Sequence, residues 1–227
     1  MQSRVLIVED EVTARRAYGR ILRAARFDLV GEAGDGREAL RVAHATRPDA
    51  VLMDLWMARL NGWDATRLLF EEQPQVRILA LSALDDSESV YRALVAGAAG
   101  FVSKYSPPAE LVAGLRAVAS GLQFFCSRTC SRPLERALAW QRDPGAAPKD
   151  LLTLPERQVL QLWAEDCSTA DSAADLCRSV KTVESHRASI MRKLETRDVR
   201  ELRRYAVERH LARPREGGRW ERAGGRW

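Results

Sequence analysis

Val51-Leu52-Met53-Asp54-Leu55-Trp56-Met57 is an apolar run carrying a single carboxylate. Ala50 to Met53 reads as a strand buried on both faces, and Asp54 is its last residue. Doubly buried strands belong to parallel sheets sandwiched between helices, and ligands bind at the carboxyl edge of such sheets. Asp54 is therefore a candidate metal ligand or nucleophile.

Strand and helix signals alternate on both sides of this stretch. Arg4–Val8 is a β-branched run, and Tyr18, Ile21, Leu22 and Ala25 follow at the spacing of one helix face. Leu29-Val30 marks a second strand and Glu38–Ala45 a second helix. After Asp54, Asn61-Gly62 breaks the chain ahead of a helix with Leu68 and Leu69, which Pro74 ends. Arg77–Ser82 is a fourth strand, Ser87–Ala96 a helix and Phe101-Val102 a short fifth strand. A closing helix carries Leu111, Val112, Leu115, Val118 and Ala119. The alternation predicts an α/β doubly wound, five-stranded parallel sheet over residues 1–121.

Residues 122–150 read as a linker with a short helix at Ser131–Trp140, because 141–148 are rich in Pro, Gly and Ala. From 151 to 212 the pattern is all helical. Thr153 with Glu156 has the spacing of a capping box. Ser168 opens a short helix, Ser179 caps a third at Lys181–Leu194, and Asp198–Arg209 forms a fourth. The segment 213–227 repeats Gly-Gly-Arg-Trp and is predicted to be a disordered tail.

The chain has 227 residues, 46% hydrophobic and 30% charged, the composition of a soluble protein. It offers no apolar run long enough for a membrane span and no secretory leader, so a cytoplasmic location without membrane contact is expected. Cys126, Cys130, Cys167 and Cys177 lack paired metal-binding spacing and read as reduced thiols. The net charge of +5 is uneven. Residues 1–125 hold fifteen Lys and Arg against sixteen Asp and Glu, whereas 178–212 hold ten against five. Only the C-terminal part is suited to meet a polyanion.

The polar residues at the strand ends fall in a telling order. Glu9 and Asp10 follow strand one, Asp54 ends strand three, Ser82 ends strand four, and Lys104 follows strand five. If the strands are neighbours, three carboxylates converge and need a cation, for which their oxygen ligands suit Mg²⁺. Such a pocket has the parts to hold a phosphoryl group in line with an attacking carboxylate.

Val5-Leu6-Ile7-Val8-Glu9-Asp10-Glu11, Val51-Leu52-Met53-Asp54, Leu79-Ala80-Leu81-Ser82-Ala83 and the stretch Gly97 to Lys104 resemble the receiver domain of bacterial two-component response regulators. The resemblance implies a flavodoxin-like fold in which Asp54 accepts a phosphoryl group from a sensor histidine kinase. It implies further that Glu9, Asp10, Asp54 and the Trp56 backbone carbonyl hold Mg²⁺. Ser82 and Lys104 would bind phosphoryl oxygens, and Phe101 takes the position of the aromatic residue that swings inward. Two departures are Ala58, where the family commonly has proline, and the bulky Trp56 beside the pocket.

In the helix Lys181–Leu194, Val183, Ile190, Met191 and Leu194 face inward, while Lys181, Glu184, Ser185, Ala188 and Arg192 share the opposite face. Short side chains at 185 and 188 permit close approach to base edges, and Lys181, Arg187, Arg192 and Lys193 can reach phosphates. The stretches Leu152–Leu160 and Lys181–Leu194, with Thr182 as the second residue of the latter, resemble the LuxR-type helix-turn-helix of the NarL/FixJ family. The resemblance implies a transcription regulator that binds double-stranded DNA; helix-turn-helix proteins pair on two half-sites, so a homodimer is expected when the chain is phosphorylated, with Asp198–Arg209 nominated for the contact. Asp166, Ser172 and Arg178 depart from the family pattern, which leaves one alternative: a phosphoryl receiver whose degenerate helical domain binds protein instead of DNA. No catalytic set lies outside the acidic pocket, and enzyme activity beyond self-dephosphorylation is not expected.

Overall fold

The computed structural model describes residues 2–129, 132–143, 145–147 and 150–212. The chain divides into two compact units, one running through Leu151 and the other from Leu152. The expected tail at 213–227 lies outside the described residues.

In the first unit, strands β1 (Arg4–Val8), β2 (Asp28–Ala33), β3 (Ala50–Asp54), β4 (Arg77–Ser82), β5 (Gly100–Ser103) and β6 (Phe124–Phe125) form one parallel sheet in the order β2-β1-β3-β4-β5-β6. Helices α1 (Val12–Ala24), α2 (Gly36–Thr46), α3 (Gly62–Glu72), α4 (Ser87–Val95) and α5 (Pro108–Ala119) join them. The doubly wound architecture is the expected one, with one strand more than the five predicted. Phe124 and Phe125 are too short a run to register as a strand, but they pair with Gly100 and Phe101. A Cβ on Gly100 would press on the Phe124 carbonyl oxygen, so that pairing depends on the bare backbone at 100.

β3 is buried along its whole length because both faces are covered. On one face Val5, Ile7, Leu52, Leu79 and Leu81 meet Leu111, Leu115 and Val118 of α5 and Leu22 of α1. On the other, Leu6, Val8, Val51, Met53 and Ile78 meet Ala39 and Ala43 of α2 and Ala65 and Leu69 of α3. Buried apolar area of this kind contributes roughly 25 cal/mol per Å² and is what fixes strand register here.

Residues 122–150, expected to be a linker around a short helix, add structure to this unit. Besides β6 they form α6 (Arg132–Arg142), whose Ala137 is fully buried in a cluster with Val90 and Ala93 of α4 and Phe101 of β5. The helix was legible as a short one, but its docking was not, because Ala137, Leu134 and Trp140 meet residues of α4 and β5 that lie far away in the sequence.

The second unit contains α7 (Leu154–Ala164), α8 (Thr169–Asp175), α9 (Val180–Lys193) and α10 (Val199–Glu208). Its core joins Val159, Leu160, Ala173, Val183, Ile190, Leu202 and Ala206, with Met191 and Leu194 packed against it. Ser168, Ser179 and Asp198 cap α8, α9 and α10 by accepting backbone N–H bonds. Thr153 N donates to Glu156 Oε2 at 2.7 Å at the start of α7. Among the described residues, no helix is long and apolar enough to cross a membrane.

Candidate functional site

The sheet order places β1, β3 and β4 side by side, so the residues at their carboxyl ends meet. The register pairs Val8 with Met53, Asp54 with Leu81 and Ser82 with Ser103. Glu9 thus stands beside Asp54, and Lys104 follows the partner of Ser82. The β3–α3 loop folds back on this edge, where Gly62 N donates to the Leu55 carbonyl at 2.9 Å. A Cβ at 62 would overlap the Asp54 carbonyl oxygen, which is the physical requirement behind the Asn61-Gly62 break.

Glu9, Asp54 and Ser82 are fully buried. Lys104 Nζ donates to Glu9 Oε2 at 2.8 Å and to Asp54 Oδ2 at 2.9 Å, one ammonium bridging two carboxylates. The other Asp54 oxygen, Oδ1, accepts from Trp56 N at 3.1 Å. Ser82 Oγ accepts from Leu84 N at 3.0 Å, and the Ser82 carbonyl accepts from Lys104 N at 2.7 Å. The hydroxyl and ammonium segments are therefore tied to each other by backbone.

Burial, followed by the nearby Asp54 charge, pushes the Glu9 carboxyl up to about 7 against the partial relief of Lys104. Burial also raises Asp54, with Lys104 opposing. Lys104 itself rises: burial would lower it, but Asp54 and Glu9 together outweigh that effect. The pocket is short of positive charge. One ligand oxygen from each of Glu9, Asp10 and Asp54 can be chosen so that all lie within 4.8 Å of one another. Three hard oxygen donors and a charge deficit that a single lysine does not cancel fit a Mg²⁺ ion.

Phe101 is buried, sharing a cluster with Leu55, Ala80, Val90, Ala93 and Ala137. Trp56 is half-buried beside the pocket.

On α9, Lys181, Glu184, Ser185, Ala188 and Arg192 are exposed, the face expected for contact. Three of the four nominated cations have partners inside the unit, Arg192 only through a long bond from Nη2 to Ser189 Oγ at 3.3 Å. Arg187 stacks over the Trp163 ring at 4.6 Å, its Nη1 donates to Thr169 Oγ1 at 2.6 Å, and its Nη2 donates to the Cys167 carbonyl at 3.3 Å. Lys193 Nζ lies 2.7 Å from Oε2 of buried Glu156, whose Oε1 accepts from Ser189 Oγ at 2.7 Å. Thr182 joins the helix cap through Ser179 Oγ at 2.8 Å. Sequence periodicity missed these roles because residue spacing reports a face and not the neighbour behind it. Charge at 156 in an otherwise buried turn was the available signal.

The departures from the pattern now have surroundings. Asp166 adopts a left-handed φ of 64°, the conformation that favours glycine, and pairs with Arg203 of α10. Ser172 is fully buried, and among the described residues its Oγ has no hydrogen-bond partner. Arg178 is exposed.

A family model described as the response regulator receiver domain matches residues 5–116, and one described as bacterial regulatory proteins, luxR family, matches 150–206. The transcriptional regulatory protein LiaR of Bacillus subtilis is 32% identical over 209 residues, covering 92% of this chain and 98% of its own. The response regulator GacA of Pseudomonas viridiflava is 33% identical over 208 residues, covering 90% and 95%. Among solved structures, a LuxR-family two-component response regulator from Aurantimonas sp. SI85-9A1 matches at 32% identity with a TM-score of 0.58, over 61% of this chain and 99% of that one.

Proposed function

The chain belongs to the response regulators that join a receiver domain to a LuxR-type DNA-binding domain, and from this premise we propose that Asp54 is the phosphoacceptor through which DNA binding is controlled. The observation that carries the assignment is the bridge of Lys104 to Asp54 and Glu9. That contact holds the Asp54 carboxylate in one orientation and keeps a cation beside the place where phosphoryl charge would arrive.

In this reading the donor is the phosphorylated histidine of a sensor kinase. An Asp54 oxygen bonds to phosphorus as the bond to the histidine nitrogen breaks, and the imidazole takes up a proton. Ser82 and Lys104 then bind the transferred phosphoryl oxygens. Glu9, Asp10, Asp54 and the Trp56 carbonyl would hold Mg²⁺, which supplies charge neutralisation to the phosphoryl oxygens when bound. The sheltered position of Asp54 limits water access, so the only expected reaction besides acceptance is slow self-dephosphorylation.

For the output, the exposed face of α9 carries the contact to double-stranded DNA. Lys181 and Arg192 reach phosphates, while Glu184, Ser185 and Ala188 lie against base edges. Thr182, Arg187 and Lys193 fix the helix in its domain. DNA is preferred to a protein ligand because the LuxR-type match covers residues 150–206, all but the end of the helical unit, and the departures at 166 and 172 leave its core assembled. Phosphorylated chains would pair as homodimers on two half-sites in the cytoplasm, with α10 as the contact in the second unit.

The test is Asp54→Asn. Incubated with acetyl phosphate and Mg²⁺, the wild-type chain should gain one phosphoryl mass and bind promoter DNA more tightly. The variant should do neither, and a labelled variant would place the acceptor elsewhere.

A further inference from the structure

A second polar cluster adjoins the acidic pocket without belonging to it. Asp85 lies in the loop between Ser82 and Asp86, the N-cap of α4. Its Oδ2 accepts from Arg128 Nε at 2.8 Å and from Ser103 Oγ at 3.3 Å. The Arg128 guanidinium also stands over the Tyr105 ring, 5.8 Å from its centroid. One carboxylate therefore links the segments that leave β4, β5 and β6. Two of those segments carry Ser82 and Lys104.

The third leads to α6. Arg128 sits in the turn closed by Thr129 N donating to the Cys126 carbonyl at 2.9 Å, and Leu134 N donates to the Thr129 carbonyl at 3.2 Å. Ser103 N donates to buried Cys126 Sγ at 3.3 Å and holds the same turn against β5. α6 then lies on α4, with Ala137 fully buried beside Val90, Ala93 and Phe101, and the Tyr91 and Trp140 rings edge to face at 5.5 Å. It is the last helix before the second unit, separated from α7 by residues 143–153 alone.

We propose that α6 is a docked strap whose hold on α4 and β5 depends on the state of Asp54, with the Asp85–Arg128 ion pair as the connecting latch. This rests on the reading of Asp54 as phosphoacceptor. A phosphoryl group on Asp54 gives the Ser82 hydroxyl an anionic partner, and the loop that moves with Ser82 carries Asp85 three residues further on. Asp85 then parts from Arg128 and Ser103, the turn before α6 loosens, and the helix leaves Phe101 and Val90 more often. Undocking uncovers the α4–β5 face. Arg128 is half exposed, so the latch biases a dock held mainly by apolar burial.

Amide hydrogen exchange on the full chain reads this directly over residues 132–142. In unphosphorylated protein, Arg128→Ala and Asp85→Asn should each speed exchange there about two- to fivefold, the factor expected of a partly exposed ion pair, and leave β1 and β3 unchanged. Unchanged exchange of α6 in both variants overturns the latch. Acetyl phosphate with Mg²⁺, its acetate leaving as Asp54 bonds to phosphorus, should speed α6 exchange in the wild type and add little in Arg128→Ala. Labelling is followed by mass on the same samples, which separates the two readings. A labelled wild type with α6 exchange unaltered overturns the strap while the phosphoacceptor stands. An unlabelled one removes the phosphoryl trigger, and the two variants still decide the latch.

Discussion

At the scale of single residues, the acidic pocket is governed by a mismatch between three carboxylates and one ammonium. Glu9 is fully buried, and its carboxyl rises to about 7 through burial and the Asp54 charge. A dication relieves both effects, so Mg²⁺ should raise the melting temperature of the wild type by mass action. In Glu9→Gln the same titration should show a smaller rise and an affinity more than about tenfold weaker, because even outer partners of metal ligands are worth 10–100-fold. An unchanged Mg²⁺ response would remove Glu9 from the ligand set. Glu9, Asp10, Asp54, Ser82 and Lys104 were legible in the sequence because each sits at the end of an apolar run, where position along the chain becomes position at one sheet edge. Asp85 and Arg128 were not. They are forty-three positions apart, and no periodicity joins a loop after β4 to a turn after β6.

At the scale of elements, α7, α8 and α9 show what pattern reading captures and what it leaves out. The inward face of α9 was readable because Val183 and Ile190 repeat at helical spacing. Glu156 looked like half of a capping box, yet it also receives Lys193 and Ser189 from α9 and so ties the start of one helix to the end of another. Burial acts to raise its carboxyl, but Lys193, Thr153 and Ser189 overcome that and bring it down to about 2. A depressed carboxyl stabilises the fold fully above its unfolded value near 4.5 and loses that contribution as pH falls toward 2. The stability of the second unit to chemical unfolding should therefore fall between about pH 4.5 and 2.5, by on the order of 1–2 kcal/mol after solvent screening, and the decline should be smaller in Glu156→Gln. Ser172 makes the opposite case. It departs from the family pattern, and its hydroxyl is buried with no hydrogen-bond partner among the described residues. Ser172→Ala should stabilise the unit by about 1 kcal/mol, since a buried unsatisfied group costs about 1–3. A loss of stability on thermal unfolding would mean that the hydroxyl is bonded after all.

At the scale of the whole molecule, charge is segregated: residues 1–125 are nearly balanced, and the excess of Lys and Arg lies in 178–212. That asymmetry was visible in composition, but not which cations are available to a polyanion, because availability depends on what each side chain already touches. Lys181 and Lys193 lie on the same helix and differ in this respect. Lys181 is exposed, whereas Lys193 neutralises buried Glu156. Phosphate contacts release counterions, so the logarithm of DNA affinity falls linearly with the logarithm of salt concentration, by about 0.9 for each phosphate neutralised. Lys181→Ala should flatten that slope by about one contact and leave the melting temperature unchanged. Lys193→Ala should lower the melting temperature, because Glu156 is left charged and buried, while the slope measured on the folded protein stays at the wild-type value. Equal loss of slope in the two variants would mean that Lys193 leaves Glu156 for DNA, in which case binding would also destabilise the start of α7.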